Sequence, residues 1–275
     1  MVTRVYHSLL DNLELLIGKR DKSVPPRRLI KQTGIGLDLV AEESIQHLLE
    51  LAELKPDASV LEVGCGCGCS ARLLTLRLAD RGGYWGFDVD AESIAWCQKH
   101  LEANRPNFHF QLADVYDELF RPKGRFKPAV YWFPYLDDYF DLVLIPAAFT
   151  RMAEAEMQNY LSQVRRVLKP GGRCAINFFL INEESKRLLS EGLGTVNVSC
   201  ANRDYQLSQR NHCAAPVSYE ERFIRECWAK QGLNVLEPIH YGNWCGRSGA
   251  FHCPDILVAT KLAAVRPVAD EVTTF

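Results

Sequence analysis

Apolar residues recur at helical spacing in LDLVAEESIQHLLELAEL, which predicts a helix ending before Pro56. The pattern then shortens to a continuous apolar run, ASVLEVG, bounded by turn residues as a buried strand is. Helical spacing returns in SARLLTLRLAD. The exchange repeats along the chain: GYWGFD, from Gly83 to Asp88, predicts a second strand, AESIAWCQKHLEAN a helix, and PNFHFQLAD a third strand. YFDLVLIP predicts a fourth strand, followed by the helix EAEMQNYLSQVRRVL, a stop at Lys169-Pro170-Gly171-Gly172, and a fifth strand in RCAINFFLI. Strands alternating with helices imply an α/β fold, a mostly parallel sheet with helices on both faces.

Both ends depart from this alternation. After the helix YEERFIRECWAKQG come NVLEPIHYGNW, the polar stretch CGRSGAFHCPD and ILVATKL. Two strands joined by a loop of that length form an antiparallel pair. At the other end MVTRVYHSLLDNLELLIGKRDK reads as an amphipathic helix, because Asp11 and Glu14 interrupt the apolar region a signal peptide requires. SVPPRRLIKQTG follows as a proline-marked linker. The expected division is a helical cap or lid over 1–50, one α/β domain over 51–265, and a tail over 266–275.

The chain has 275 residues, 47% hydrophobic and 24% charged, the balance of a globular protein with a sizeable core. Its formal charge of −2 provides no net positive field for a phosphate backbone or an anionic bilayer. No apolar run approaches the roughly 20 residues of a membrane span. The expectation is therefore a cytoplasmic protein with no nucleic-acid or membrane partner, whose ten cysteines are free thiols.

The segment VLEVGCGCGCS sets cysteine and glycine in alternation. Structural zinc sites favour cysteines two to four residues apart with a second pair elsewhere, so no metal is expected. Gly64, Gly66 and Gly68 instead stand where a strand turns into a helix, and glycine there permits positive φ and close approach of a ligand. Asp88 ends the second strand roughly 20 residues later, where a carboxylate can accept from two ribose hydroxyls. A nucleoside ligand follows, either a dinucleotide or S-adenosylmethionine.

These motifs, taken in order, resemble the class I S-adenosylmethionine-dependent methyltransferases, from about Leu54 to Lys261. VLEVGCGCG is similar to the first motif of that family, which implies that Glu62 is its acidic residue and that Gly64, Cys65, Gly66 and Gly68 face the methionine part of the cofactor. GFDVD is similar to the second, implying Asp88 on the ribose and Val89 beside the adenine. QLADVYD implies Asp114 near the exocyclic amine and Val115 against the ring. FPYLDDYFDLVLIPAAF resembles the fourth-strand motif, implying that Asp141 is structural and that Ile145 and the residues after it border the transfer site. The family's Rossmann-like sheet has seven strands and an antiparallel last strand, in agreement with the C-terminal pair. The tail HYGNWCGRSGAFHCPDILVATK further resembles a bacterial group ending in YGSWCGR and YQDIVVA, whose members accompany enzymes that build glycans or secondary products. That group carries Phe-Thr-His-Met where this chain has Phe149-Thr150-Arg151-Met152, so Arg151 occupies a candidate catalytic position without the imidazole.

Methyl transfer from a sulfonium is an in-line displacement, in which the protein mainly aligns and desolvates the nucleophile. An alcohol acceptor gains from a base, an amine need only be neutral. His240, at the end of an apolar strand, ranks ahead of His212 and His252 as that base, with a satisfied structural histidine as the other reading. Tyr131, Trp132, Phe133 and Tyr135 in one loop, and Trp244 with Arg247 in another, suit a sugar or aromatic substrate or else close the core. Arg27 and Arg28 are either partners for a carboxylate or a solvated basic turn. The expected reaction is methylation of a hydroxyl on a sugar or secondary metabolite. The alternatives are a small amine acceptor and a noncatalytic cofactor-binding partner subunit. Ile145-Pro146-Ala147-Ala148 differs from the Asn/Asp-Pro-Pro-Tyr motif of nucleic-acid enzymes, so the partner is a small molecule, and a homodimer stays open.

Overall fold

The computed structural model describes much of 11–32, then 42–196, 198–200, 216–249 and 254–262. His212, His252, the tail and residues 1–10 of the expected first helix lie outside the described residues. A short helix α1 (Arg27–Gln32) and α2 (Glu42–Leu51) precede the sheet. Then follow β1 (Ser59–Val63), α3 (Cys69–Leu74), β2 (Gly83–Asp88), α4 (Ala91–His100), β3 (Phe108–Leu112), β4 (Phe140–Ile145), α5 (Glu154–Val167) and β5 (Leu168–Phe178). The C-terminal part holds β6 (Leu180–Ile181), α6 (Glu183–Ser190), β7 (Ser199–Cys200), β8 (Val217–Glu220), α7 (Glu221–Lys230), β9 (Leu233–Val235) and β10 (Asp255–Lys261).

Seven strands form one sheet in the order β3-β2-β1-β4-β5-β10-β9. All pairs are parallel except those of β10, which runs antiparallel to both β5 and β9. The expected architecture, a Rossmann-like sheet with its last strand reversed, is present. The strands carry the apolar runs that a sheet covered on both faces needs. Leu61, Val63, Phe87, Ile145, Ile176 and Phe178 point into a core completed by α5 and α7. Val60, Tyr84, Leu142, Leu144, Ala175 and Ile256 point into the opposite core beneath α2 and α3.

Local chemistry sets the helix ends. Asp90 caps α4, accepting from Glu92 N at 3.1 Å and from the Ser93 hydroxyl at 2.6 Å. The helix expected over SARLLTLRLAD is shorter, because the Thr75 hydroxyl bonds back to Arg72 O at 2.7 Å where α3 ends. The glycine pair after α5 does not separate helix from strand. It lies inside β5, in a register shift against β4 between Phe140 and Leu142. Beyond the expected elements, β6, β7 and β8 form a small second sheet, and α6 begins at a reciprocal Asn182–Ser185 cap.

The register positions the functional end. Val63 pairs with Phe87, Glu62 with Leu144, Ile145 with Ile176, and Asn177 with Ile256. Carried one residue further, Asp88, Gly64, Pro146 and Asn177 stand level across the carboxyl ends of β2, β1, β4 and β5. His240, bridged to Ile256, continues the row outward. By strand alternation the side chains of Glu62, Asp88 and Asn177 face α2.

Candidate cofactor site

Gly64, Gly66 and Gly68 all have positive φ, at 76°, 50° and 78°. That conformation is cheap only for glycine. The turn is held by Gly64 N and Cys65 N, which donate to Phe87 O at 2.9 and 3.2 Å. At Gly68 a Cβ would also lie 2.7 Å from Leu101 Cδ1 and 2.9 Å from Cys97 Sγ, so these side-chain ends would have to move aside.

The thiols are packing atoms of this turn. Cys65 and Cys67 are buried, Cys67 and Cys69 sulfurs are 3.9 Å apart, and the Cys97 thiol donates to Gly66 O at 3.6 Å. Among the described residues no group of three or more His, Cys, Asp or Glu side chains could hold a metal ion.

Asp88 ties the loop to the neighbouring strand. Its Oδ2 accepts from Gly66 N at 2.7 Å and its Oδ1 from Asp90 N at 2.8 Å. Each oxygen keeps a second lone pair for a hydroxyl. Burial raises the Asp88 carboxyl above the usual range, against the pull of these backbone donors. Glu62 is 1% exposed and accepts from the Tyr84 hydroxyl at 2.6 Å. Burial pushes its carboxyl up to about 7, with the hydroxyls of Tyr84 and Ser70 opposing that shift.

A cleft of about 620 Å³, its open mouth included, lies between this wall and the N-terminal segment. Ile30 of α1 and Ser44, Ile45 and Leu48 of α2 form its roof. Glu62, the loop from Gly64 to Cys67, Cys69, Ser70, Pro146, Ala147 and Asn177 form its floor. Sequence reasoning missed Asn177. Its Nδ2 donates to Pro146 O at 2.9 Å, but its buried Oδ1 has no partner. One polar residue within the apolar run RCAINFFLI was the available signal.

The other candidate residues lie off the cleft, in environments that explain why. At the end of β3, Asp114 is gripped by Arg121 Nε and Nη2 at 3.0 and 2.8 Å, which holds its carboxyl below the usual range. Val115 is buried beside it, Val89 packs against the α5-side core, and Ile145 is fully buried in that core, behind the floor. Arg151 lies over the Phe120 ring, 3.9 Å from Asp117.

His240 bonds through its backbone to Ile256, and its ring meets the edge of His47 at 5.9 Å. Burial, then the neighbouring His47, keeps its imidazole below its ordinary pKa, hence neutral. It ends the strand row but does not line the cleft. Arg27 is occupied by Asp11 and Glu14, each at 2.7 Å, and Arg28 pairs with Glu92.

The aromatic candidates divide by face. Tyr131 is buried among Phe87, Phe133 and Tyr160 on the α5 side of the sheet, away from the cleft. Trp132 is 61% exposed and stacks on Arg166 at 4.1 Å. Trp244 is fully buried against Phe179, and its indole N–H donates to Asp255 at 2.9 Å. Arg247 also bonds Asp255, at 3.1 Å, and Glu184 at 2.7 Å. Of the two expectations for this pair, a substrate face or closure of the core, its surroundings match the second, a buried clamp joining β10 to α6. The same tryptophan and arginine serve either purpose in sequence, and only the buried Asp255 distinguishes them.

Residues 60–172 match a family model described as a methyltransferase domain. The chain is 28% identical over 240 residues to the 27-O-demethylrifamycin SV methyltransferase of Amycolatopsis mediterranei, covering 80% of this chain and 82% of that protein. Among solved structures it resembles a SAM-dependent methyltransferase from Aquifex aeolicus, with a TM-score of 0.51 and 17% identity over 89% of this chain and 100% of the other. It also resembles the 1,6-didemethyltoxoflavin-N1-methyltransferase of Burkholderia thailandensis, whose structure holds S-adenosylhomocysteine. There the TM-score is 0.51 and the identity 16%, over 82% of this chain and 80% of the other. These two likenesses concern the fold.

Proposed function

From the premise that the chain is an S-adenosylmethionine-dependent methyltransferase of the class I fold, we propose that it methylates a hydroxyl of a small molecule, a sugar or a secondary metabolite. The roofed cleft over the glycine loop carries the reading. Its floor is glycine backbone at positive φ, which a ligand can approach closely, with the Glu62 carboxylate in the lining and the Asp88 carboxylate hydrogen-bonded to Gly66 N beside it. This donor-poor, acceptor-rich wall fits a nucleoside that also carries an ammonium.

In this reading the free lone pairs of Asp88 receive the ribose hydroxyls, and the adenine extends beyond the cleft toward the ends of β2 and β3, where Val89 and Asp114 lie and the buried Val115 backs them from the core. Glu62 lends negative charge to the methionine end. Ile30, Ile45 and Leu48 exclude water from above. When bound, the sulfonium supplies a methyl group activated by its own leaving group. Pro146 and Ala147 at the end of β4 border the mouth through which an acceptor oxygen would be aligned. Residues 1–50 act as the cap of the 51–265 domain.

The Amycolatopsis mediterranei relative is named for a 27-O-demethyl substrate, which supports a hydroxyl acceptor. The position of His240 and Arg151 off the cleft favours a second reading, a small amine that needs no base. Incubation with methyl-labelled cofactor and a panel of glycosides, phenols and amines separates them. Alkali-stable label on hydroxyl oxygen is expected, and label found only on amines would replace the first reading by the second.

A further inference from the structure

We propose that Asn177 is the anchor for the α-ammonium of S-adenosylmethionine, its Oδ1 accepting an N–H at the β5 end of the cleft; this rests on the cofactor reading above. Asn177 is 5% exposed, lines the cleft, and leaves Oδ1 without a donor. Buried amide oxygens are nearly always satisfied, so an orphan acceptor on a residue that lines a ligand cleft marks a place where the ligand donates. The amide orientation is dictated by its neighbour. Nδ2 donates to Pro146 O at 2.9 Å, and turning the amide over would set two acceptors face to face.

Position identifies the donor. Asp88 and Asn177 occupy the same row and face, separated by β1 and β4, hence three strand spacings or about 14 Å apart. From a ribose hydroxyl oxygen to the α-nitrogen the cofactor has eight single bonds, an extended reach of roughly 10 Å. A hydrogen bond of about 3 Å at each end brings the reach to about 16 Å, enough to cover that separation. Asp88 and Asn177 thus hold opposite ends of one ligand. Glu62 lines the same wall and adds negative charge, which favours an ammonium over a neutral hydroxyl at this end. The assignment also explains why the apolar fifth strand carries one amide at its end.

The test is calorimetric titration of the full chain with two probes, S-adenosylhomocysteine and its analogue bearing hydrogen in place of the α-amino group. Wild type is expected to favour the amino-bearing probe by about 10- to 100-fold, the worth of a hydrogen bond to a charged group. Asn177→Leu, which keeps the volume, and Asn177→Ala, which cannot overpack, should bring that ratio to near one by weakening only the first probe. Asn177→Asp, which keeps the acceptor and as the neutral acid also keeps a donor toward Pro146 O, should preserve it. Should Leu fail to fold, the Ala and Asp variants decide alone. Equal weakening of both probes would reduce Asn177 to a wall residue, and an unchanged ratio would place the ammonium elsewhere; either overturns the proposal while leaving the cofactor reading intact. A wild type that binds neither probe would overturn the cofactor reading itself.

Discussion

Among the described residues, two buried carboxylates, Asp255 and Glu62, are treated differently. Asp255, at the start of β10, is fully buried and saturated, accepting from Leu180 N at 2.8 Å, Gly242 N at 2.8 Å, Trp244 Nε1 at 2.9 Å and Arg247 Nη1 at 3.1 Å. Glu62, at the end of β1, has only the hydroxyls of Tyr84 and Ser70, and it forms part of a cleft wall. Burial pushes Asp255 up to about 6 and Glu62 up to about 7, so at neutral pH the first stays ionised opposite Arg247 while the second is poised to take or lose a proton. A saturated carboxylate stabilises a connection. An undersatisfied one beside a cleft leaves acceptor capacity for a ligand.

Breaking the saturated site should cost most. Asp255→Ala leaves Arg247 buried beside two unpaired backbone donors, and chemical denaturation at neutral pH should show a loss of about 3–5 kcal/mol. A change below about 1 kcal/mol would mean that the clamp carries little.

Glu62 sharpens the contrast through pH. Its folded pKa lies above its ordinary value of 4.5, so between about 4.5 and 7 the native state holds more protons than the unfolded chain. Stability should therefore fall as pH rises through that window, by up to about 3 kcal/mol for this group. Glu62→Gln should remove that part of the slope in urea melts at pH 5 and pH 8. Its affinity for S-adenosylmethionine should also lose the rise, up to about tenfold between pH 6 and 8, that ionised Glu62 gives the wild type toward a cation.

Smaller effects belong to the glycine loop and the strand end beside it. Asp88→Ala should weaken S-adenosylhomocysteine by about 10- to 100-fold, or about 1.5–3 kcal/mol, by removing a charged acceptor. Replacing Cys65, Cys67 and Cys69 together by Ala should leave a folded protein, with a stability loss of about 1–3 kcal/mol for two buried thiols and one half-buried one. Stoichiometric zinc in the wild type, lost with the fold in that variant, would show the thiols to be ligands.

The succession of strands and helices, the antiparallel C-terminal pair and the glycine turn were legible because each rests on local pattern, namely apolar runs, turn residues and the offset from Gly68 to Asp88. Trp244 and Arg247 were not, because aromatic and guanidinium groups look the same in sequence whether they face a substrate or a buried aspartate. Helix α6 carried a readable cap, Asn182 through Ser185, but directly after the apolar FFLI its start merges with the strand. Asn177 and the roof formed by Ile30, Ile45 and Leu48 depend on register and on packing between distant segments, which no single stretch of sequence encodes.

The central claim, that the cleft over Gly64 to Ser70 is built for S-adenosylmethionine, is tested most directly by calorimetric titration of the wild-type chain with S-adenosylhomocysteine and, in parallel, with NAD. The account predicts affinity near micromolar, roughly −8 kcal/mol, for the first and no preference for the second. Saturable binding of NAD with no binding of S-adenosylhomocysteine would contradict it.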